Sequence, residues 1–248
     1  MSQETYYYGQ GKVYLALRNE QGQPLAWRWV GDVDSLSVAL SVENFDHKES
    51  YTGQRSAVRR INTGKDGTVN STWYEYSPEN LATLLYGEQV ADASGSVTGE
   101  ALPLNIKAGD RYSLQHQQVS AVVIGSLVEG TDYTVDPEFG AIEFLTAQAG
   151  PTTVNYSHGS SINSTMFTQP VKELAMRYEG MNLAEDNAKI IVELYKIQFD
   201  PVAALNLINT DTSLSGLETT AGVLMDTQRP SDSALGRYGR IIHVGSAA

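Results

Sequence analysis

Residues 33–43 alternate with period two: Leu36, Val38, Leu40 and Val42 interleave with Ser35, Ser37, Ala39, Ser41 and Glu43. Only a strand places residues i and i+2 on one side, so the pattern specifies a strand with a dry face and a wet face. Such a strand needs neighbours that pair with it and a cover for its apolar row. The same signature recurs in GKVYLALR (11–18) and GTVNSTWYEY (67–76), both rich in the branched and aromatic residues that suit a pleated surface. Trp27 and Trp29 follow a GQPL turn at strand spacing and read as core or interface residues. Further strands are predicted at 171–181, 188–199, 215–226 and 237–244, with a proline-started turn or short helix at 201–208. The expected fold class is mainly β.

One helix interrupts the strands. Ser77 suits the N-cap, Pro78 the first helical position, Glu79 the positive end of the helix dipole and Gly87 the stop, while Leu81, Leu84 and Leu85 form an apolar face. Between the strands at 33–44 and 67–76 lies FDHKESYTGQRSAVRRINTGKD, which has no sustained period and exceeds the usual hairpin loop. It carries Lys48, Arg55, Arg59, Arg60 and Lys65 against Asp46, Glu49 and Asp66 in an otherwise acidic chain. The expectation is an extended arm loop over 45–66 that docks through these cations, with Phe45 and Tyr51, on an acidic neighbour; a mobile surface loop is the plainer alternative. Residues 88–101 and 157–165 are small and polar and read as linkers. They bracket a second β unit whose best hairpin is YTVDPEFGAIEFL, at 133–145. The expected organisation is a discontinuous core (1–95 and 162–248) with an inserted accessory β domain at 96–161.

Twenty-nine Asp plus Glu against 17 Lys plus Arg give a net charge of −12, which argues against wrapping or reading nucleic acid through its phosphates. No cysteine is present, so disulfides and thiolate metal sites are excluded. His47, His116, His158 and His243 are widely spaced and show no zinc-ligand pattern. No nucleophile elbow, phosphate-binding loop or HExxH helix occurs. Asp32 and Asp34 share a face as a glycosidase pair would, yet strand-edge charges explain them better. Tyr6, Tyr7 and Tyr8, with Gly9 and Gly11, read as a terminal arm that anchors on a partner. The N-terminus lacks the basic and apolar regions of an export signal, and no apolar run is long enough to span a membrane. The sequons at Asn70, Asn155 and Asn163 then read as chance. No enzyme, cofactor or metal is expected.

In order, WVGDVDSLSVALSVE, the basic arm, GTVNSTWYEYSPENLATLLYG, VELYKIQFDPVAALNLI and LETTAGVLMD resemble the major tail tube proteins of long-tailed bacteriophages, over residues 9–90 and 165–244. The resemblance implies a tail-tube β-sandwich or partial barrel with one short α-helix and a long arm loop, the inserted β domain being an addition to the minimal pattern. It implies homo-hexameric rings stacked into a tube, the arm reaching the adjacent ring. The partners would be the tape measure protein inside and distal tail and terminator proteins at the ends, with double-stranded DNA passing through non-specifically. The location would be the virion tail, assembled in the host cytoplasm, without membrane insertion. On this reading Ser35, Ser37, Ser41 and Glu43, with Asn70, Thr72, Glu193 and Glu218, line the lumen; an ordinary solvated sheet face is the alternative. Rival readings are a tube protein of a contractile injection or secretion system and a carbohydrate-binding adhesin module.

Overall fold

The computed structural model describes residues 5–209, 212–232 and 234–245. In chain order its strands begin with β1 (Gly9–Leu17), β2 (Arg28–Trp29), β3 (Val33–Lys48) and β4 (Ala57–Trp73), followed by helix α1 (Pro78–Leu84). Next come β5 (Gln89–Asp92), β6 (Gly95–Ala101), β7 (Arg111–Ser113), β8 (Val119–Val123), β9 (Tyr133–Asp136), β10 (Ala141–Phe144), β11 (Thr153–His158) and β12 (Ser161–Ser164). The last four are β13 (Glu173–Asn182), β14 (Ala188–Phe199), β15 (Leu217–Val223) and β16 (Gly239–Val244). The architecture is mainly β, and the chain divides into two compact units, Met1–Glu88 with Thr165–Ala248, and Gln89–Ser164.

The first unit is one antiparallel sheet in the order β2–β1–β13–β14–β15–β4–β3, with β16 also paired to β14. On one edge of β14, Lys189–Leu194 pair with β16 and Ile197–Phe199 pair with β15. A bulge on β14 opposite Leu174 and Met176 lies between these two stretches and re-aims the strand. Strands distant in this order supply a single core: Val13 and Leu15 of β1 join Val69 and Trp73 of β4, Met176 of β13, Ile197 and Phe199 of β14, and Leu217 and Val223 of β15. The sheet therefore curls to bury its apolar face. Trp73 is fully buried, meets Phe199 edge-on at 5.3 Å, and donates from its indole nitrogen to Ser71 Oγ at 2.8 Å. Ser71 Oγ in turn lies 2.6 Å from Thr219 Oγ1, so the buried polar atoms of β4 and β15 satisfy one another.

Helix α1 starts as read, with Ser77 Oγ accepting from Asn80 N at 3.2 Å. Its stop differs. Tyr86, not Gly87, takes the left-handed conformation (φ 51°). Gly87 is needed for space instead, because a Cβ there would lie 1.7 Å from the Thr165 carbonyl oxygen. Residues 201–208 form neither helix nor strand. The segment is tied down by Val202 N donating to Leu84 O at 3.1 Å.

The second unit holds the sheets β7–β10–β9 and β6–β11–β8 and the ribbon β12–β5 around Ile106, Ile124, Ile142, Phe144 and Val154. The predicted hairpin forms with Tyr133 opposite Phe144 and Asp136 opposite Ala141. The segments read as linkers are largely strands: Gln89–Asp92 pair with Ser161–Ser164, and β6 begins at Gly95. Backbone pairing needs no apolar pattern, so small polar residues concealed it. This ribbon also carries residues 89–95 and 162–164, placed in the core by the sequence, into the second unit.

Two further expectations change. The arm over 45–66 is mostly hairpin: β3 extends to Lys48 and β4 starts at Ala57, leaving a loop only at 49–56. Two register shifts between β3 and β4, at Glu43/Asn44 and His47/Lys48, interrupt the alternation here, which is why no period survived in this stretch of the sequence. The backbone of the tyrosine segment is held by its own chain, while the rings of Tyr6, Tyr7 and Tyr8 remain exposed. Tyr8 N donates to Asn182 Oδ1 (2.8 Å), Asn182 Nδ2 donates to Tyr6 O (2.7 Å), and Leu183 N donates to Tyr8 O (2.8 Å). Residues 1–4 of the expected arm lie outside the described residues.

Candidate functional site

Cross-strand partners share a sheet face, so register decides which residues the sheet presents together. Ser35 faces Thr72, Ser37 faces Asn70, Ser41 faces Asp66 and Glu43 faces Gly64 across β3 and β4. From β15, Glu218 faces Thr72 and Thr220 faces Asn70. Seven of the eight residues assigned to a lumen thus fall on one face, and all seven are exposed or half-buried. Ser35 Oγ lies 3.4 Å from Thr72 Oγ1, and Thr220 Oγ1 donates to Asn70 Oδ1 at 3.2 Å. Thr68 and Thr220 complete the face and were missed; strand parity from Asn70 and Glu218 is the signal that finds them. In these registers Glu43, Asp66 and Glu218 supply negative charge and no residue supplies positive charge.

Glu193 stands apart. It is half-buried on β14, where Arg177 Nη1 bonds one oxygen and Arg240 Nε the other at 2.6 Å. The guanidinium of Arg240 is held still more firmly protonated by that bond. A carboxylate saturated by two arginines staples β13, β14 and β16 and offers no free charge to a channel.

The other face of β3 was expected to be dry, and it is so only at Leu36, which packs against the core. Leu40 is 77% exposed, Val42 48% and Val38 37%. Strand β3 ends the sheet order, so its outer edge also pairs with no strand among the described residues. A sixteen-residue edge with an exposed apolar row is a template for association, which proteins normally blunt or cover.

The hairpin tip is built on Glu49, itself only 3% exposed. Its carboxylate accepts from Tyr51 N (2.8 Å), Thr52 N (2.9 Å) and the Thr52 hydroxyl, while its own amide donates to Ser56 O (3.0 Å). The Thr52 hydrogen bonds pull its pKa down to about 2. Tyr51 projects outward, 82% exposed, and Phe45, Val58 and Ile61 are exposed along the hairpin. Of the arm cations, Arg60 is engaged by Asp46 through two hydrogen bonds of 2.7 and 2.9 Å. Lys48, Arg55, Arg59 and Lys65 form no ion pair among the described residues.

The profile of a family described as "Protein of unknown function UCP028589" matches residues 6–242. The chain belongs to that family. No curated protein matches it. In this member of UCP028589 the groups weighed for chemistry have local roles. Trp29 lies under the Lys12 ammonium at 5.2 Å, which occupies one face of its ring. A cavity of about 390 Å³ beside Arg18 contains charges already paired, Arg18 to Asp226 at 2.7 Å and Lys196 to Glu173 at 2.6 Å. His116 and His158, read as unrelated, stack with ring centroids 3.8 Å apart, close to Asp92. Spacing could not show this, because separate segments of the second unit, the β7–β8 connection and the end of β11, bring them together. No helix among the described residues is long and apolar enough to cross a membrane.

Proposed function

We propose that this member of UCP028589 is a structural tube subunit, of the kind that forms the tail tube of long-tailed phages by stacking homo-oligomeric rings. The observation that carries the reading is the two-faced β3–β4 hairpin at the sheet edge. Between Ser35 and Glu43 one face is mostly Ser, Thr and Asn with only negative charge, and the other carries the exposed Val38, Leu40 and Val42. Closing β3 against a second copy would satisfy the open edge, cover Val38, Leu40 and Val42, and turn the hydroxyl face toward a shared lumen. A lumen of hydroxyls and carboxylates lets a polyanion pass, since it offers phosphates no cation. The hairpin tip, with Tyr51 and Arg55 exposed in its loop and Arg59 exposed beside it on β4, then projects from one ring toward the next.

Negative-stain electron microscopy of the purified chain tests this. Rings or tubes of uniform bore are the expected result. A strict monomer at high concentration that binds sugar would overturn the reading in favour of an adhesin module.

A further inference from the structure

We propose that Asp92, His116 and His158 form a zinc-type divalent metal site in the inserted unit. The idea is independent of the tube reading and stands whether or not the chain forms rings. The ligands come from separate segments: Asp92 ends β5, His158 ends β11, and His116 lies between β7 and β8. All three are half-buried, and one donor atom from each lies within 4.8 Å of the others. His116 Nε2 is 3.4 Å from Asp92 Oδ2.

The surrounding hydrogen bonds determine which ring nitrogens are available. Tyr156 has one hydroxyl proton and gives it to Glu100. Its oxygen is then the acceptor for His116 Nδ1, 3.1 Å away. His158 Nδ1 lies 2.9 Å from the Gly159 carbonyl oxygen, which can only accept. Both Nδ1 atoms therefore carry protons, and in each neutral ring Nε2 keeps its lone pair. Metal-binding histidines are held in this way, with the far nitrogen donating to a carbonyl or to a carboxylate-linked partner that fixes tautomer and ring orientation. The Glu100–Tyr156–His116 chain is such a partner for one ring and Gly159 for the other. At His116 the exposed lone pair faces a carboxylate oxygen, and two acceptors so placed are reconciled by a cation between them.

Two imidazoles and a carboxylate, without a thiolate, match zinc, with the fourth position open to water. Bonds of about 2.0–2.2 Å place tetrahedral ligand atoms about 3.4 Å apart, so binding draws the donors together and turns the two rings out of their stack. The physical benefit lies in the ribbon β5–β12, four residues per strand, too small to hold alone. A metal bonded to β5, to the segment before β8 and to β11 ties that ribbon to the β6–β11–β8 sheet.

The test is titration of the full chain, first stripped with EDTA, using zinc chloride in calorimetry and cobalt(II) by visible absorption. One saturable equivalent is expected, with a tetrahedral cobalt spectrum and movement of the His116 and His158 imidazole nitrogen resonances. His158→Gln and Asp92→Asn should abolish binding, and Tyr156→Phe should weaken it about 10–100-fold. His47→Gln and His243→Gln, both in the first unit, should leave it unchanged. Absence of saturable binding, or binding untouched by both His158→Gln and Asp92→Asn, overturns the proposal. Should those variants fail to fold, wild-type imidazole resonances that do not move on adding zinc overturn it equally.

Discussion

Single residues here act mainly by satisfying backbone groups. Glu49 turns an eight-residue loop into a defined tip by gathering the amides of Tyr51 and Thr52 and the Thr52 hydroxyl. Its folded-state pKa, about 2, lies below the ordinary carboxylate value, so protonation favours the open loop. The contribution is complete above about pH 4.5 and is lost as pH falls toward 2. NMR of the Tyr51 and Thr52 amides should show constant protection from neutral pH to about 5 and then a fall, and Glu49→Gln should remove that step. Asn80 does the same work inside the core. Buried completely, it gives both amide protons to the carbonyls of Val30 and Glu75 and accepts from Arg28 at 2.6 Å. Burial draws the Arg28 pKa down, and the bond to Asn80 keeps that cation partnered. The sequence marks both residues as polar; Glu49 bonds residues two and three positions on, whereas it does not mark Asn80 as a cap for Val30, fifty positions away, because that partner depends on how the chain folds.

At the scale of elements, the β3–β4 hairpin holds the candidate site and shows what alternation can and cannot reveal. Period two located β3 and the common face of Ser35, Ser37, Ser41 and Glu43, since side-chain parity is a local property of a strand. It could not reveal whether the apolar face is covered within the chain. For the same reason Glu193 was misplaced: parity put it on a wet face, and Arg177 and Arg240 sequestered it. Because Leu40 and Val42 are exposed, Leu40→Glu with Val42→Glu should change folding stability by no more than about 1 kcal/mol while abolishing rings in electron micrographs. Intact rings from that variant would remove the edge from the assembly. In the arm, Arg55→Glu with Arg59→Glu should shorten or abolish tubes, leaving rings and thermal unfolding unchanged. Arg60→Glu alone should have the smaller effect on stacking, since Arg60 is already engaged by Asp46.

At the scale of the molecule, two cores share one chain, which leaves the first unit after Glu88 and returns to it at Thr165. Thr165 N donates to Glu88 O at 3.0 Å, and Glu88 N donates to Thr165 Oγ1 at 2.9 Å. The bond from Thr165 N to Glu88 O is the one a two-residue turn between them would need, so replacing residues 89–164 by Asn-Gly should leave the first unit folded. Calorimetry should show two transitions in the full chain and one after excision. The remaining midpoint should shift by less than about 4 °C, the equivalent of about 1 kcal/mol in a domain of this size. Loss of cooperative unfolding would mean that the first unit needs the insertion to fold.

Local chemistry in the chain determined the mainly β class, the position of β3, the start of α1 at Ser77 and Pro78, the hairpin at Tyr133–Phe144, and the absence of any thiolate site. Each depends on residues within a few positions of one another, where side-chain period, cap preference and turn preference act directly. Tertiary structure alone decided that polar segments at 89–92 and 161–164 pair, that Gly87 makes room for Thr165, and that Glu193 is sequestered. It also left Leu40 bare and brought His116, His158 and Asp92 together. Those outcomes depend on backbone pairing and burial between segments far apart in sequence, which side-chain pattern does not encode.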